Sequence, residues 1–352
     1  MRPVGPDFFI VGAPKCGTTA LHTYLSVHPE IYMASEELHF FGSDLEEFWN
    51  RPDGAGRAAM TASSSVGRPE PAEYFGAFAG TDWAACRGER SNWYLWSRRA
   101  AAEIHEYNPR AKIIAMLRNP VDFLASLHSQ YLRDQIEDIE SFEEALAAEA
   151  DRRAGKRIPP HNSRTYPWRL FYIEVARFHE QLTRYFAVFD PEQIYVILYD
   201  DFAVDTLGSY QGVLAFLGVE PTFAPPELPV INPNKRNRSR NLQRLVWQME
   251  DPRSRLRRIG TRVIPYHGAR SALLRSVPSA MRRFNSVEVP RPPVNSGVRM
   301  RIIQDLRDEV LKLEDLLERD LTHWLGEVEA HKRDPVSHTS GRWHRHPGEA
   351  ST

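Results

Sequence analysis

The feature that most constrains the fold is a glycine-bounded loop near the N-terminus, which reads Gly-Ala-Pro-Lys-Cys-Gly-Thr-Thr over residues 12–19. It follows four apolar residues, Phe8 to Val11, which predict a short buried strand. A helix is predicted after the loop, from about Thr18 to Val27. Between a strand and a helix, glycines at positions 12 and 17 let backbone N–H groups and the helix N-terminus face an anion. The pattern predicts a phosphate-binding loop, and the alternative is a turn with an incidental lysine.

The loop departs from that of nucleotide triphosphatases in the place of its lysine. Those loops carry Lys and then Ser or Thr directly after the second glycine. Here Thr18 and Thr19 stand at those positions, and the lysine is Lys15, inside the loop. Lys15 therefore cannot be assigned the usual role at the β- and γ-phosphates, and this argues against the alternative of a P-loop kinase or nucleotide hydrolase.

Two more strand-to-helix junctions follow along the chain. The apolar run 113–117 precedes Arg118-Asn119-Pro120, in which Asn suits a helix N-cap and Pro the first helical position. The apolar run 194–198 lies between an amphipathic helix predicted over about 170–187 and another near 206–217. Strands that alternate with helices predict an α/β fold, a single domain with a central parallel sheet flanked by helices and a P-loop-like nucleotide-binding core.

The C-terminal part of the chain is predicted to end in a helix over about 298–324. The tail beyond it is rich in His, Ser, Pro and Gly and has little apolar content to bury, so we expect it to be disordered. This gives one domain over residues 1–329 and a tail over 330–352.

Composition excludes several classes of protein. No apolar run approaches the roughly 20 residues of a membrane-spanning helix, so no span is predicted. Because the N-terminus also lacks the apolar stretch of a secretory signal, we expect a cytoplasmic protein. With only Cys16 and Cys86 there is no disulfide framework. Although the net charge is −1, residues 232–301 hold 17 Arg and Lys against 3 Asp and Glu. Such a segment suits phosphates, an acidic acceptor, nucleic acid or a membrane surface, and the alternative is the solvated face of ordinary helices.

The loop sequence from Pro14 to Leu21 resembles the 5′-phosphosulfate loop of sulfotransferases that use 3′-phosphoadenosine 5′-phosphosulfate (PAPS). Downstream, Arg118 and Ser126 resemble this family's 3′-phosphate site, and an arginine fork with a hydroxyl suits phosphate oxygens. The resemblance covers about residues 7–325. It implies PAPS as donor, adenosine 3′,5′-bisphosphate as product and no metal. The further donor-binding residues that it implies are Lys15, Cys16, Gly17, Thr18, Thr19 and Ala20, together with Lys235 and Arg238 from a basic loop.

A candidate general base lies beyond the first helix. Residues 35–41, Ser-Glu-Glu-Leu-His-Phe-Phe, resemble the acidic-x-His-Phe-Phe segment of the heparan-sulfate-type branch of the family, which implies Glu37 as the base. His39 is the alternative base, and a surface pair of glutamates is the alternative without function. The sequence Glu-Arg-Ser at residues 89–91 resembles the branch's Glu-Lys-Ser/Thr segment, which places Arg90 where the family has a catalytic lysine, with altered donor geometry.

These residues predict transfer of a sulfuryl group from PAPS to a hydroxyl, less readily an amine, of a glycan or a bacterial natural product. A non-catalytic anion-binding module is the alternative of another class, and no nucleic-acid partner is expected. Residues 40–90 and 130–168 are predicted to form the acceptor cleft. The aromatic residues available there to stack on a ring, or else to fill the core, are Trp49, Tyr74, Trp93, Tyr94, Tyr131, Tyr166 and Trp168.

Overall fold

A five-stranded parallel sheet lies at the centre of the fold. The computed structural model describes residues 3–35, 37–45, 68–159, 167–229, 231, 234–250 and 277–326. The strand order is β2-β3-β1-β4-β5, and all five residues of β1 are buried. The predicted α/β architecture is thereby confirmed. The strands are β1 (Phe8–Gly12), β2 (Ile31–Met33), β3 (Cys86–Arg90), β4 (Lys112–Leu117) and β5 (Ile194–Leu198).

Helices connect and flank these strands. The long C-terminal helix α12 (Ser296–Leu317) packs against α4 (Pro120–Arg133) and α8 (Phe178–Phe186), and α8 also packs against α3 (Ala100–Tyr107). Short 3-10 turns lie at Ser43–Leu45, Pro167–Leu170, Pro191–Gln193 and Thr322–Leu325, and residues 277–285 are also helical. The labelled helices are α1 (Thr18–Leu25), α2 (Pro71–Gly76), α3 (Ala100–Tyr107), α4 (Pro120–Arg133), α5 (Phe142–Ala147), α6 (Glu149–Arg153), α7 (Tyr172–Val175), α8 (Phe178–Phe186), α9 (Tyr199–Val204), α10 (Thr206–Leu217), α11 (Arg240–Glu250) and α12 (Ser296–Leu317).

The strand order brings three loops to one place. In a parallel sheet all strands end at the same edge, which is where open α/β sheets bind ligands. β1 lies between β3 and β4, with Ile10 level with Arg90 and Gly12 level with Ala115. The phosphate loop after β1, the residues after β3 and the start of α4 after β4 are therefore neighbours.

A second, two-stranded antiparallel sheet, the β6–β7 sheet, packs on α4. Its strands are β6 (Lys235–Asn237) and β7 (Ser286–Glu288), which are far apart in the sequence. Ser129 on α4 donates to Asn234 Oδ1 at 2.9 Å, and Asn237 Nδ2 donates to the carbonyl of Arg133 at 2.7 Å. The basic segment of the sequence is in this way attached to α4.

Three predicted helices differ from the observed ones. α1 ends two residues early, at Leu25. The helix predicted over 170–187 is wrong as one continuous element, because Arg177 leaves the helical conformation with ψ 70° and the N–H of Phe178 donates to the carbonyl of Ala176 at 2.9 Å, which separates α7 from α8. The last helix ends at Leu317 instead of near 324, where Glu318 takes a left-handed conformation with φ 50°.

Strands β2 and β3 and helix α9 carried no clear signal in the sequence. β3 reads Cys-Arg-Gly-Glu-Arg, with three charged residues in five, although it is an interior strand. None of the helices in the described ranges is long and apolar enough to cross a bilayer. The tail 330–352 and most of the loop 51–71 lie outside the described residues.

Candidate active site

The loop between β1 and α1 has a backbone that requires its two glycines. Gly12 has φ 144° and Gly17 has φ 93°, values that residues with a Cβ rarely adopt. A Cβ on Gly12 would lie 2.5 Å from the carbonyl oxygen of Asn92, and one on Gly17 would lie 3.1 Å from Met116 Cε. Gly17 is also the N-cap of α1 and has no side chain to occupy the first-turn N–H groups. The loop and the start of α1 can therefore receive an anion.

Lys15 lies among like charges. Burial lowers the pKa of Lys15, and the charge of Arg133 lowers it further. Asp134 opposes the shift, while Arg291 and Arg118 add to it, so that the pKa is about 8. We call Lys15, Arg118, Arg133 and Arg291 the cationic cluster. Such a cluster fits a ligand with several negative charges, because the ligand relieves the mutual repulsion of the cations.

Arg118 lies at the end of β4, where the sequence places it. Its Nη1 donates to the carbonyl of Lys15 at 3.2 Å, and its guanidinium lies 4.2 Å from the ring centroid of Tyr199. The buried Nε–H has no hydrogen-bond partner among the described residues. Arg118 is thus held against the phosphate loop with a donor still to be satisfied, as expected for a phosphate ligand.

Ser126 is buried on the face of α4 that meets a residue the sequence did not point out, Arg291. Arg291 Nη2 donates to Ser126 Oγ at 2.9 Å, and its Nε–H has no partner among the described side chains and backbone. Burial lowers the pKa of Arg291, and the charge of Arg118 adds to the effect. Arg291 thus contacts Ser126 and lies close enough to Arg118 for their charges to interact. Membership of the basic segment 232–301 was the only sequence signal for Arg291.

Lys235 and Arg238 lie at the β6–β7 sheet and not in the cationic cluster. Lys235 Nζ is 3.8 Å from Glu288 across the two strands. The exposed Arg238 lies 5.4 Å from the ring centroid of Phe284. These two residues contact Glu288 and Phe284, in and next to the β6–β7 sheet, whereas Arg291, just beyond β7, belongs to the cationic cluster. Their part in donor binding stays a prediction.

Glu37 is held by three side chains. Its Oε1 accepts hydrogen bonds from Arg90 Nη1 and, at 2.8 Å, from Asn92 Nδ2, while its Oε2 lies 3.2 Å from His39 Nε2. Burial by itself raises the pKa of Glu37, but the hydrogen bond and charge of His39 and the charge of Arg90 lower the pKa to about 2. Oε2 also accepts a longer hydrogen bond from the backbone N–H of Asn92 at 3.5 Å. Glu37 is therefore ionised at neutral pH, and both of its oxygens are held by neighbouring groups.

One residue connects the carboxylate with the phosphate loop. Asn92 donates its side-chain amide to Glu37, and its carbonyl oxygen lies against the backbone of Gly12. An anion cradle and an ionised carboxylate thus share one wall of the site. That arrangement suits transfer of an anionic group to a nucleophile that must lose a proton.

Comparison with known proteins decides the family. The model of the sulfotransferase family matches residues 6–224, more than half of the chain. This chain belongs to the sulfotransferase family. It is similar to carbohydrate sulfotransferase 15 of Mus musculus and of Homo sapiens, with 25% identity to each over 252 residues, 61% of this chain and 44% of those proteins. The chain thus spans less than half the length of these curated relatives.

A solved structure agrees with this membership. The crystal structure of a sulfotransferase from Alicyclobacillus acidocaldarius is similar with a TM-score of 0.63 and 27% identity, covering 91% of this chain and 99% of that one. The family match ends at residue 224, so Arg291 and the β6–β7 sheet lie beyond it. The predicted membership of the sulfotransferase family is confirmed.

The remaining loop residues of this sulfotransferase differ in what they offer. Cys16 is fully buried, and its Sγ donates to the carbonyl of Pro14 at 3.4 Å. Burial raises the pKa of Cys16 to about 12, so the thiol stays neutral and contributes no nucleophile. Thr18 and Ala20 are buried in the first turn of α1, and Thr19 is partly exposed. The loop backbone is therefore the main donor surface.

The aromatic residues predicted for the acceptor cleft are mostly core residues in the sulfotransferase. Tyr74, Trp93, Tyr94, Tyr131 and Trp168 are each at most 8% exposed, so their rings have little free face for stacking. The two remaining aromatics of that prediction, at positions 49 and 166, lie outside the described residues. Within the described ranges, no group of three or more His, Cys, Asp or Glu side chains could hold a metal ion.

Proposed function

We propose that this sulfotransferase moves the sulfuryl group of PAPS onto a hydroxyl of a carbohydrate or natural-product acceptor. The observation that carries the proposal is the shared wall at Asn92, with the phosphate loop on one side and the ionised Glu37 on the other. A sulfotransferase needs both parts, because the donor is an anionic nucleotide and the acceptor hydroxyl must lose its proton during the transfer.

The 3′-phosphate and the 5′-phosphosulfate of the donor would be bound at two different parts of the site. Arg118, Ser126 and Arg291 would hold the 3′-phosphate, and two buried guanidinium N–H groups with no described partner support this. The backbone from Lys15 to Ala20 would hold the 5′-phosphosulfate at the N-terminus of α1. Lys235 and Arg238, at the β6–β7 sheet, would add long-range electrostatic attraction for the nucleotide.

The chemistry would be in-line substitution at sulfur. Glu37 takes the proton of the acceptor hydroxyl as the new oxygen–sulfur bond forms, and Arg90, Asn92 and His39 hold its carboxylate in place. Lys15 stabilises the negative charge that develops on the 5′-phosphate oxygen as its bond to sulfur breaks. Arg90 offers its remaining N–H groups to the sulfuryl oxygens. The products are a sulfate ester and adenosine 3′,5′-bisphosphate, and no step requires a metal.

A carbohydrate is the favoured acceptor class, since the curated relatives are named carbohydrate sulfotransferases. The burial of the aromatic candidates argues against a site that binds its acceptor by ring stacking, and recognition of a hydroxylated acceptor by polar side chains fits better. Glucosamine tests transfer to an amine, and 1-naphthol tests an acceptor that is not a carbohydrate. We also keep the cytoplasm as the proposed location, which fractionation of the native host tests.

Calorimetry and an acceptor screen test the function. We expect adenosine 3′,5′-bisphosphate to bind and ATP to bind much more weakly. Sulfuryl transfer from radiolabelled PAPS is then measured to four probes: chondroitin, cellobiose, 1-naphthol and glucosamine. Tight ATP binding with phosphate release would support a kinase or hydrolase, and nucleotide binding without transfer to any probe would support a non-catalytic anion-binding module.

The assignment of the base has its own test. Glu37→Gln keeps the size of the side chain and loses its basicity, so turnover should fall by roughly two to four decades while nucleotide affinity is kept. His39→Ala is the matched comparison. Normal turnover in Glu37→Gln together with a large loss in His39→Ala would move the base to His39.

A further inference from the structure

The segment that carries Glu37 is fixed by side chains instead of by a sheet or a helix. Residues 37–42 lie between β2 and the 3-10 turn at Ser43–Leu45 and pair with no strand. The N–H of His39 donates to Ser91 Oγ at 3.0 Å, and the N–H of Phe41 donates to Tyr94 OH at 3.0 Å. The position of Glu37 therefore depends on where these two hydroxyls are held.

Both hydroxyls are held by one buried carboxylate, Glu89. Its side chain is 0% exposed and accepts hydrogen bonds from Tyr74 at 2.5 Å, Ser91 at 2.7 Å and Tyr94 at 2.8 Å. Burial raises the pKa of Glu89, and the hydrogen bonds from these three hydroxyls oppose the rise. None of these contacts is with the cationic cluster.

The polarity of this network has one consistent direction. A carboxylate can only accept, so the hydroxyl hydrogens of Ser91 and Tyr94 point towards Glu89. Their oxygen lone pairs are then left for the N–H groups of His39 and Phe41. Tyr74 differs, because its hydroxyl donates to Glu89 and accepts from none of the described N–H groups in the 37–41 segment.

The conformation of the segment makes this support necessary. His39 has φ 49°, a left-handed conformation that is unfavourable for a residue with a Cβ and persists only where its surroundings hold it. His39 is also the residue whose ring lies 3.2 Å from Glu37 Oε2. Arg90, next to Glu89 on β3, contacts Oε1 of the same carboxylate. The end of β3 thus fixes both the backbone and the carboxylate of the segment.

We propose that Glu89 is a positioning residue for the reaction: through Ser91 and Tyr94 it holds the backbone of residues 37–41 so that Glu37 faces the acceptor hydroxyl. Glu89 touches neither donor nor acceptor and acts only through the segment. The proposal rests on Glu37 being the base of the proposed function.

Three variants separate positioning from general stability. Tyr94→Phe and Ser91→Ala each remove a hydroxyl that links Glu89 to the segment, and Tyr74→Phe removes a hydroxyl that binds Glu89 alone. The aromatic ring that remains in Tyr74→Phe would keep its stacking on Phe40, 4.1 Å between centroids, so this variant is a matched control. Tyr74→Phe removes one buried hydrogen bond, whereas Ser91→Ala and Tyr94→Phe each also leave a backbone N–H without its acceptor and should lose more thermal stability. Turnover is therefore compared at a temperature at which all three variants are folded.

Turnover should distinguish the variants. With the best of the four acceptor probes, kcat should fall roughly 10- to 100-fold in Tyr94→Phe and Ser91→Ala, since a misplacement of about 1 Å has effects of this size. Affinity for adenosine 3′,5′-bisphosphate should be retained. Tyr74→Phe should keep most of its turnover, and Ser91→Thr, which restores a hydroxyl, should recover most of what Ser91→Ala loses.

A double-mutant cycle identifies the group through which the network acts. In a Glu37→Gln background, Tyr94→Phe should cause little further loss of kcat, because the residue being positioned has already lost its function. Fully additive losses, or equal turnover losses in Tyr74→Phe and Tyr94→Phe, would overturn the positioning role. If Glu37→Gln alone keeps normal turnover, the base assignment fails first and visibly in the single variant, and the positioning role falls with it.

Discussion

The protonation of Lys15 makes nucleotide binding dependent on pH in a predictable direction. The pKa of Lys15 in the free protein is about 8, lowered by burial and by Arg133. A bound phosphate or sulfate favours the charged lysine and raises that pKa. Binding of adenosine 3′,5′-bisphosphate should therefore take up a proton, and its affinity should be highest below pH 8 and fall as the pH rises.

The size of the effect follows from this pKa. At pH 9 about nine-tenths of the free protein carries a neutral Lys15, so the apparent affinity should be roughly tenfold weaker than at pH 7, or about 1.4 kcal/mol. At pH 8 about half a proton should be taken up for each nucleotide bound. The phosphates of the ligand are already ionised across this range. The thiol of Cys16, with a pKa of about 12, does not titrate in it.

Calorimetry measures both quantities. Titrations from pH 7 to 9 in two buffers of different ionisation enthalpy give the affinity and the number of protons taken up. Lys15→Arg is the control, because a guanidinium keeps its charge throughout this range and should give a flat affinity. A wild-type affinity that is flat between pH 7 and 9, or an inflection that persists in Lys15→Arg, would refute the assignment of this titration to Lys15.

Three further variants test other parts of the structure. Arg291→Gln and Arg118→Gln should each weaken the binding of adenosine 3′,5′-bisphosphate by one to two decades, about 1.5–3 kcal/mol. The binding of adenosine 5′-phosphosulfate, which lacks the 3′-phosphate, should weaken much less. Equal losses for the two nucleotides in binding assays would remove these residues from the 3′-phosphate site. Glu137→Gln breaks the fully buried pair with Arg152, 2.7 Å apart, and should lower the free energy of unfolding by about 3–5 kcal/mol in denaturant titrations, with nucleotide affinity unchanged in the folded protein.

Local sequence patterns predicted much of the region proposed to bind the nucleotide. The apolar run before Gly12 and the glycine spacing after it predicted a strand, a loop and a helix, and the structure has β1 and α1 there. Arg118 and Ser126 were predicted as a 3′-phosphate site from the family resemblance; they lie directly after β4 and on α4, and their role stays a prediction. The predicted strand, loop and helix are correct because each depends on a few neighbouring residues whose backbone preferences agree with their burial.

Other elements could not be predicted because long-range contacts override local preference. β3 has charged residues in an interior strand, and only its pairing with β1 and β2 explains them. The helix predicted over 170–187 is interrupted at Arg177, whose ψ of 70° is not helical, and the side-chain amide of Gln181 donates to the carbonyl of Val175 at the end of α7. A periodic pattern reports which face of a helix is apolar, and it does not report where the backbone leaves the helical conformation.

The sequence alone determined the residue types needed for the chemistry, and the tertiary structure determined which of them meet. Glu37 and Arg90 are 53 residues apart and Ser126 and Arg291 are 165 apart, yet each pair is in contact. The first contact exists because β2, which precedes Glu37, pairs with β3, and the second because the β6–β7 sheet packs on α4. Such contacts depend on strand order and on the packing of whole elements, which no local pattern specifies.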